Sequence, residues 1–269
     1  MNESSKTGRR AARTGAALAG LWTACALWSA PASAANRTIA LVTQVSSPSA
    51  AADRLVKTHL ESRGYRVTIH NQDVAPDVVA NADCVILSST VSAKSMQAGW
   101  RQLRVPLMTW ENDYLDDLAM TGKRHDADFG EAPRERYVWL VNAPHPAAGG
   151  LPAGVVNVYQ KQAAMSWGKP GLGASTIATL YGQPDKAAVF TYEKGATMDY
   201  ESIAPARRVM FFLDNETFPN LSPEGLRLFD AVVDWAAQPG PRQGDQPSQD
   251  KASVSDSTAV RESNAVANR

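Results

Sequence analysis

The sequence predicts an α/β domain built on a mainly parallel sheet with helices on both faces, a three-layer sandwich. Three observations predict it. Short Val-, Ile- and Leu-rich runs alternate with amphipathic stretches from residue 37 to 110. The second half turns β-rich, with Pro and Gly between the apolar runs. The body then closes on one more apolar run followed by an amphipathic stretch.

The elements follow in order. Residues 37–44, "RTIALVTQ", suit a buried strand. A helix follows, with Ser47 as cap, Pro48 in the first turn, Gly64 at the far end, and Ala52, Leu55, Val56, His59 and Leu60 on one face. "YRVTIHN" alternates apolar and polar residues, which places this second strand near a sheet edge. "ADCVILSST" is a third strand, "SAKSMQAGWRQLR" a helix, and residues 105–110 a fourth strand. Strands are then expected at "YVWLVN", "GVVNVYQ", "ASTIATLYG", "KAAVFTYEKG" and "ARRVMFFLDNE". The last helix is "SPEGLRLFDAVVDWAAQ", with Ser222 as cap and Pro223 at its first position. "MSWGKPGLGAS" reads as a surface loop.

The two ends read differently from the body. Lys6, Arg9, Arg10 and Arg13 precede an apolar stretch and the "PASA" at residues 31–34, so residues 1–34 are expected to be an export signal cleaved after Ala34. Ordinary secretion fits better than a twin-arginine route, and Cys25 is a poor lipoprotein cysteine because Trp22 precedes it. The apolar run is too short to span a bilayer, which needs roughly 20 residues. Residues 239–269 hold no aromatic residue and are rich in Ser, Asp, Gln and Pro, so a disordered tail is expected. The domain is therefore 35–238, and the expected location is secreted or periplasmic. The whole chain is neutral; without its first 34 residues it is about three units negative. It carries no basic stripe, which argues against nucleic acid. One cysteine, Cys84, remains, which excludes an internal disulfide.

Four stretches carry a family resemblance. They are "ADCVILSSTVSA", "VPLMTWEND", "HPAAGGL" at residues 145–151, and "RRVMFFLDNETFPNLSPEGLRLFDAVVDWAA". In that order the body resembles a class I glutamine amidotransferase-like domain, specifically its ThuA-like (trehalose-utilisation-type) side. The resemblance implies a flavodoxin-like, amidotransferase-like architecture with its site at the carboxyl ends of the strands. It also exposes a departure. Where relatives carry a cysteine on a Gly-flanked elbow, this chain reads Trp110-Glu111-Asn112-Asp113; where they carry a histidine, it reads Asp214-Asn215-Glu216. Cysteine-based amide hydrolysis needs a thiolate beside a base, and both are missing.

The candidate acid–base residues are therefore Glu111, Asp113, Asp214 and Glu216, whose strand ends lie close together in the superfamily. Two carboxylates in different environments can act as acid and base. The plainer reading puts Asp113, Asp116 and Asp117 on the acidic first turn of a helix. Ser88, Ser89, Trp110, His145 and Trp167 are candidate ligand contacts, set against ordinary roles as caps, turn residues and surface aromatics. His59, His70 and His125 have no neighbour at metal-ligand spacing, so no metal and no cofactor are expected. The expected function is binding of a small polar ligand such as a carbohydrate. The alternatives are a hydrolase, glycosidase-like or metal-assisted, using Glu111 with Asp113, Asp214 or Glu216, and a non-catalytic envelope interaction protein.

Overall fold

The computed structural model describes residues 36–238, so the expected signal segment and tail lie outside the described residues. Eleven strands form one sheet: β1 (Thr38–Thr43), β2 (Arg66–Asn71), β3 (Cys84–Leu87), β4 (Leu107–Thr109), β5 (Phe129–Glu135), β6 (Tyr137–Leu140), β7 (Gly154–Asn157), β8 (Ala163–Gly168), β9 (Ser175–Leu180), β10 (Gln183–Tyr192) and β11 (Arg208–Phe211). Two α-helices accompany them, α1 (Ala50–Ser62) and α2 (Pro223–Ala237). The strand order is β2-β1-β3-β4-β11-β10-β9-β6-β7, with the β5–β8 pair joined to β10. β2, β1, β3, β4 and β11 run parallel, and the remaining pairings are antiparallel. The sheet is thus mixed, parallel in one half. β2 is an edge strand, as its alternating sequence predicts.

The expectation of helices on both faces needs correction. Ile39 and Leu41 of β1, Ile86 of β3, Met108 of β4 and Val209 and Phe211 of β11 share one core with Val56 and Leu60 of α1 and Leu228, Phe229, Val232 and Val233 of α2. Alternate residues on the same strands (Ala40, Val42, Val85, Leu87, Leu107, Met210) point into a second core with Trp100, Leu103, Leu115 and Leu118. Side chains alternate across a strand, so the two cores are the two faces, and both α-helices lie on one of them. The chain moves in opposite directions along the sheet from β1 to β2 and from β3 to β4. Right-handed crossovers therefore place those connections on opposite faces. The β3–β4 connection, expected to be a helix over 92–104, forms only two 3-10 turns, Ala93–Ser95 and Trp100–Gln102. Gly99 sits between them at φ 104, a left-handed conformation that ends any regular helix.

One buried cation holds this helix-free connection in place. Arg208 is fully buried at the start of β11. Its Nη1 donates to the carbonyls of Val105 and Arg207, each at 3.0 Å, and its Nη2 donates to Leu103 O. Burial pushes its pKa down to about 10.

Helix ends follow their sequence signals with one shift. α1 starts at Ala50 with Ser49 as its N-cap residue, and Ser47 Oγ instead accepts from the Ser49 N–H at 3.1 Å. Gly64, at φ 94, turns the chain out of α1 into β2. Ser222 caps α2: its Oγ accepts from Gly225 N–H at 2.9 Å and donates to Asn157 O at 2.7 Å, tying the helix start to β7. Ser222→Ala removes both bonds. It is expected to cost about 1–2 kcal/mol, read as a fall in melting temperature of a few degrees.

Residues 165–175 are not all loop. Residues 163–168 form β8, paired with β5. β5 itself does not read as a strand, since "FGEAPRE" mixes charges with Pro133. That proline falls where the β5–β8 register shifts, between Ala132 and Glu135, a position that tolerates a residue without an N–H.

Candidate functional site: an acidic cleft at the strand carboxyl ends

β4 and β11 are neighbours and parallel, so the segments that follow them emerge side by side. After β4, Trp110 turns inward and Glu111 begins a 3-10 turn, Asn112–Tyr114. Glu111 is 7 % exposed, and its Oε1 accepts from Asp113 N–H at 3.1 Å. Its backbone N–H donates to Thr109 Oγ1 at 3.0 Å. Burial pushes the Glu111 carboxyl up to about 8; the charges of Asp113, Asp214 and Glu131 add to this, and the Asp113 N–H opposes it. At neutral pH this carboxyl is mostly protonated.

After β11, Asp214 is held by Thr217, whose Oγ1 accepts from the Asp214 N–H at 2.8 Å. Asp214 and Glu216 line an open cleft of about 560 Å³ together with Ser49, Lys161, Asn215 and Asn220. Its walls are cross-tied. Ser49 Oγ donates to Glu216 Oε1 at 3.1 Å, and Asn220 brackets Lys161 by accepting from its N–H (3.1 Å) and donating to its carbonyl (2.8 Å). The structure therefore joins α1, β8 and the loop after β11 around Asp214 and Glu216. Glu111 is not a wall of that cleft; it lies beneath the β4 end, within the field of Asp214.

Glu131 of β5 is a member of this acidic group to which the sequence does not point. It sits opposite Ser166 in the β5–β8 register. Ser166 Oγ donates to Trp110 O at 3.3 Å and accepts from Asn112 Nδ2 at 3.4 Å, which ties β8 to the β4 end. Burial, then Asp214 and Asp113, raise the Glu131 pKa. The signal is hidden because β5 does not look like a strand. A second carboxylate outside the expected set, Asp53 of α1, is buried and accepts from Ser88 Oγ (2.6 Å) and Thr90 Oγ1 (2.8 Å).

The other candidates occupy other places. Ser88 is engaged by Asp53, and Ser89 is buried beside it in sequence. Trp110 is a core side chain with its ring edge-on to Phe229 at 6.2 Å, and it offers no open face. Trp167 is likewise buried, with Lys186 Nζ 4.6 Å above its ring. His145 caps a 3-10 turn, Pro146–Ala148, its Nδ1 accepting from Ala147 N–H at 3.1 Å, and its ring lies 5.3 Å from Trp235. Burial and Arg207 lower its pKa against the opposing pull of Glu193. Arg207 precedes β11 and Asp214 follows it, so His145 belongs to the opposite end of the sheet. Asp113 is exposed, 3.5 Å from His125 Nε2. Asp116 and Asp117 do not start a helix: the Asn112–Tyr114 turn passes into further turns, ended by Ala119 at φ 56.

A larger cavity, about 1100 Å³, opens at the amino ends of β4 and β11, walled by Val105, Pro106, Ala204, Pro205 and Arg207. It is mostly apolar, and Arg207 is already paired with Glu193 at 3.0 Å and bonded to Trp235 O. The ionisable groups converge at the other end, and sites in such sheets form at strand carboxyl ends. Among the described residues no group of three or more His, Cys, Asp or Glu is arranged to hold a metal ion, and no helix is long and apolar enough to cross a membrane. Cys84 is buried in β3 with its thiol pushed up to about 12, which leaves it inert as a nucleophile.

No family model matches this chain, and no curated protein matches it. Among solved structures it is similar to a GMP synthase-like protein from Thermoplasma acidophilum, which has a glutamine amidotransferase-like fold. The identity is 12 %, the TM-score 0.46, and the match covers 75 % of this chain and 94 % of that one. It is also similar to the mmIFT52 N-terminal domain, at 8 % identity and a TM-score of 0.45, covering 75 % of this chain and 98 % of that one.

Proposed function

We propose that this chain is an exported, ThuA-like domain without cysteine chemistry that binds a small polar ligand of carbohydrate type. One observation carries the reading: the cleft at the carboxyl end of β11 presents the carboxylates of Asp214 and Glu216, the amides of Asn215 and Asn220 and the hydroxyl of Ser49 on cross-tied segments. Carboxylates and amides accept and donate in the pattern that sugar hydroxyls require, and preorganised walls lower the cost of ordering on binding. Export rests on the basic, apolar and small-residue order of residues 1–34. The test is a thermal-shift panel of neutral mono- and disaccharides on the full chain. At least one sugar is expected to raise the melting temperature, and Asp214→Asn is expected to abolish that rise.

The hydrolase reading has one observation in its favour. Glu111 keeps its proton at neutral pH beside other carboxylates, which is what a general acid requires. Cleavage of chromogenic glycosides that is lost in Glu111→Gln is the outcome that separates catalysis from binding.

A further inference from the structure

A row of large apolar side chains stands exposed on the face of the sheet opposite α2. On β6, Val138 and Leu140 point into the core shared with α2, so Tyr137 and Trp139 point the other way. Trp139 is 45 % exposed and pairs in register with Val155 of β7 on one side and Thr179 of β9 on the other. Tyr137 pairs with Asn157, and its ring lies 6.2 Å from that of Tyr181, which is 50 % exposed just beyond β9. Residues paired directly across antiparallel strands share a face. The rings of Tyr137, Trp139 and Tyr181, with Val155, therefore make one patch on three adjacent strands. β7 is the last strand of the path, so the patch is open along one side.

The area of the patch selects its occupant. A large aromatic side chain buries about 150–250 Å² when fully covered. Three rings near half exposure and an exposed valine therefore offer on the order of 300–400 Å². A stable dimer needs about 800 Å² from each partner, so a second copy of this chain is a poor match. A strand of pyranose rings needs less. Each sugar presents a face of C–H bonds that stacks on an aromatic ring, and a rim of hydroxyls that pairs with amides. Here the Asn157 amide lies across from Tyr137, accepting from Arg136 Nε at 3.2 Å, and the Arg136 guanidinium rests 5.7 Å from the Tyr137 ring centre. Beyond Asn157, the chain needs only four residues to reach Lys161 at the wall of the acidic cleft.

We infer that Tyr137, Trp139 and Tyr181 form a docking platform for an uncharged polysaccharide strand, separate from the small-ligand cleft. The experiment is depletion of the full chain from solution by microcrystalline cellulose, chitin or insoluble starch, with sedimentation velocity in parallel. At least one solid is expected to deplete the protein. Trp139→Ala and the double variant Tyr137→Ala/Tyr181→Ala are expected to weaken retention at least tenfold with unchanged far-UV circular dichroism, whereas Asp214→Asn leaves retention unchanged. No depletion by any of the three solids overturns the platform. So does retention that survives both aromatic variants, or a dimer that Trp139→Ala converts to monomer. Because Asp214→Asn acts only at the cleft, failure of the cleft and failure of the platform give different results. A misfolded Trp139→Ala leaves the tyrosine pair to decide.

Discussion

Glu111→Gln is expected to make the protein more stable, and increasingly so as pH rises from 5 to 8. Glu111 titrates near 8 in the fold, against an ordinary value of 4.5. Between those values the folded chain holds a proton that the unfolded chain has released. Its contribution to stability is therefore fully present below about pH 4.5 and is lost as pH rises through 8. Glutamine keeps an oxygen to accept from the Asp113 N–H and has no proton to lose. One pKa unit corresponds to about 1.4 kcal/mol, so the variant gains on the order of 3 kcal/mol over wild type between pH 5 and pH 8. For a domain of this size that is a difference of roughly 6–12 °C in melting temperature. Paired melting curves at four pH values read it directly. A gap that stays constant across that range contradicts the buried, charge-crowded position of Glu111.

Arg208→Leu is expected to lower stability by on the order of 3 kcal/mol, read as a lower urea midpoint at unchanged slope. Two effects oppose each other. Removing a cation from the core relieves its desolvation cost. Against this, the carbonyls of Leu103 and Val105 lose their charged donor inside the fold, whereas Arg207 O retains the bond from Leu107 N–H. The orphaned carbonyls cost about 1–3 kcal/mol each, and leucine leaves part of the guanidinium volume empty, so the loss dominates. Arg208→Lys keeps the charge without the planar fork and is expected to fall between the two. The connection over 92–106 has no α-helix of its own, so Arg208 also determines how well that face of the sheet stays covered.

Much of this architecture is legible in the sequence, and the failures have physical causes. The apolar runs of β1, β3, β4 and β11 and the alternation of β2 specify strands and even the edge position. Ser222 and Gly64 mark helix ends through groups that the backbone needs there. What an amphipathic stretch cannot state is which side of a sheet it covers. α2 ends the described fold and makes no crossover, so no handedness rule assigns its side; Phe229 and its neighbours show it only in three dimensions. The 92–104 segment has helix-compatible residues, but Gly99 in a left-handed conformation divides it.

The site is legible to the same degree. Glu111, Asp214 and Glu216 follow the apolar runs whose ends form the site, and adjacency of β4 and β11 brings two of those ends together. Glu131 lies on a strand disguised by Pro133, and its role needs the β5–β8 register. Trp110 reads as a ligand platform because it ends a strand. Strand parity answers otherwise: Met108 faces the helices, so Trp110 does too, against Phe229.

The proposed role of the cleft at Asp214 and Glu216 is to hold a small polar ligand. Calorimetric titration of the sugar giving the largest thermal shift, on wild type, Asp214→Asn and Lys186→Ala, tests it most directly. Saturable binding of one sugar per chain is expected, weakened at least tenfold by Asp214→Asn and unchanged by Lys186→Ala, which lies on β10 outside the cleft. Equal affinity in all three proteins, or no measurable heat with wild type, would contradict it.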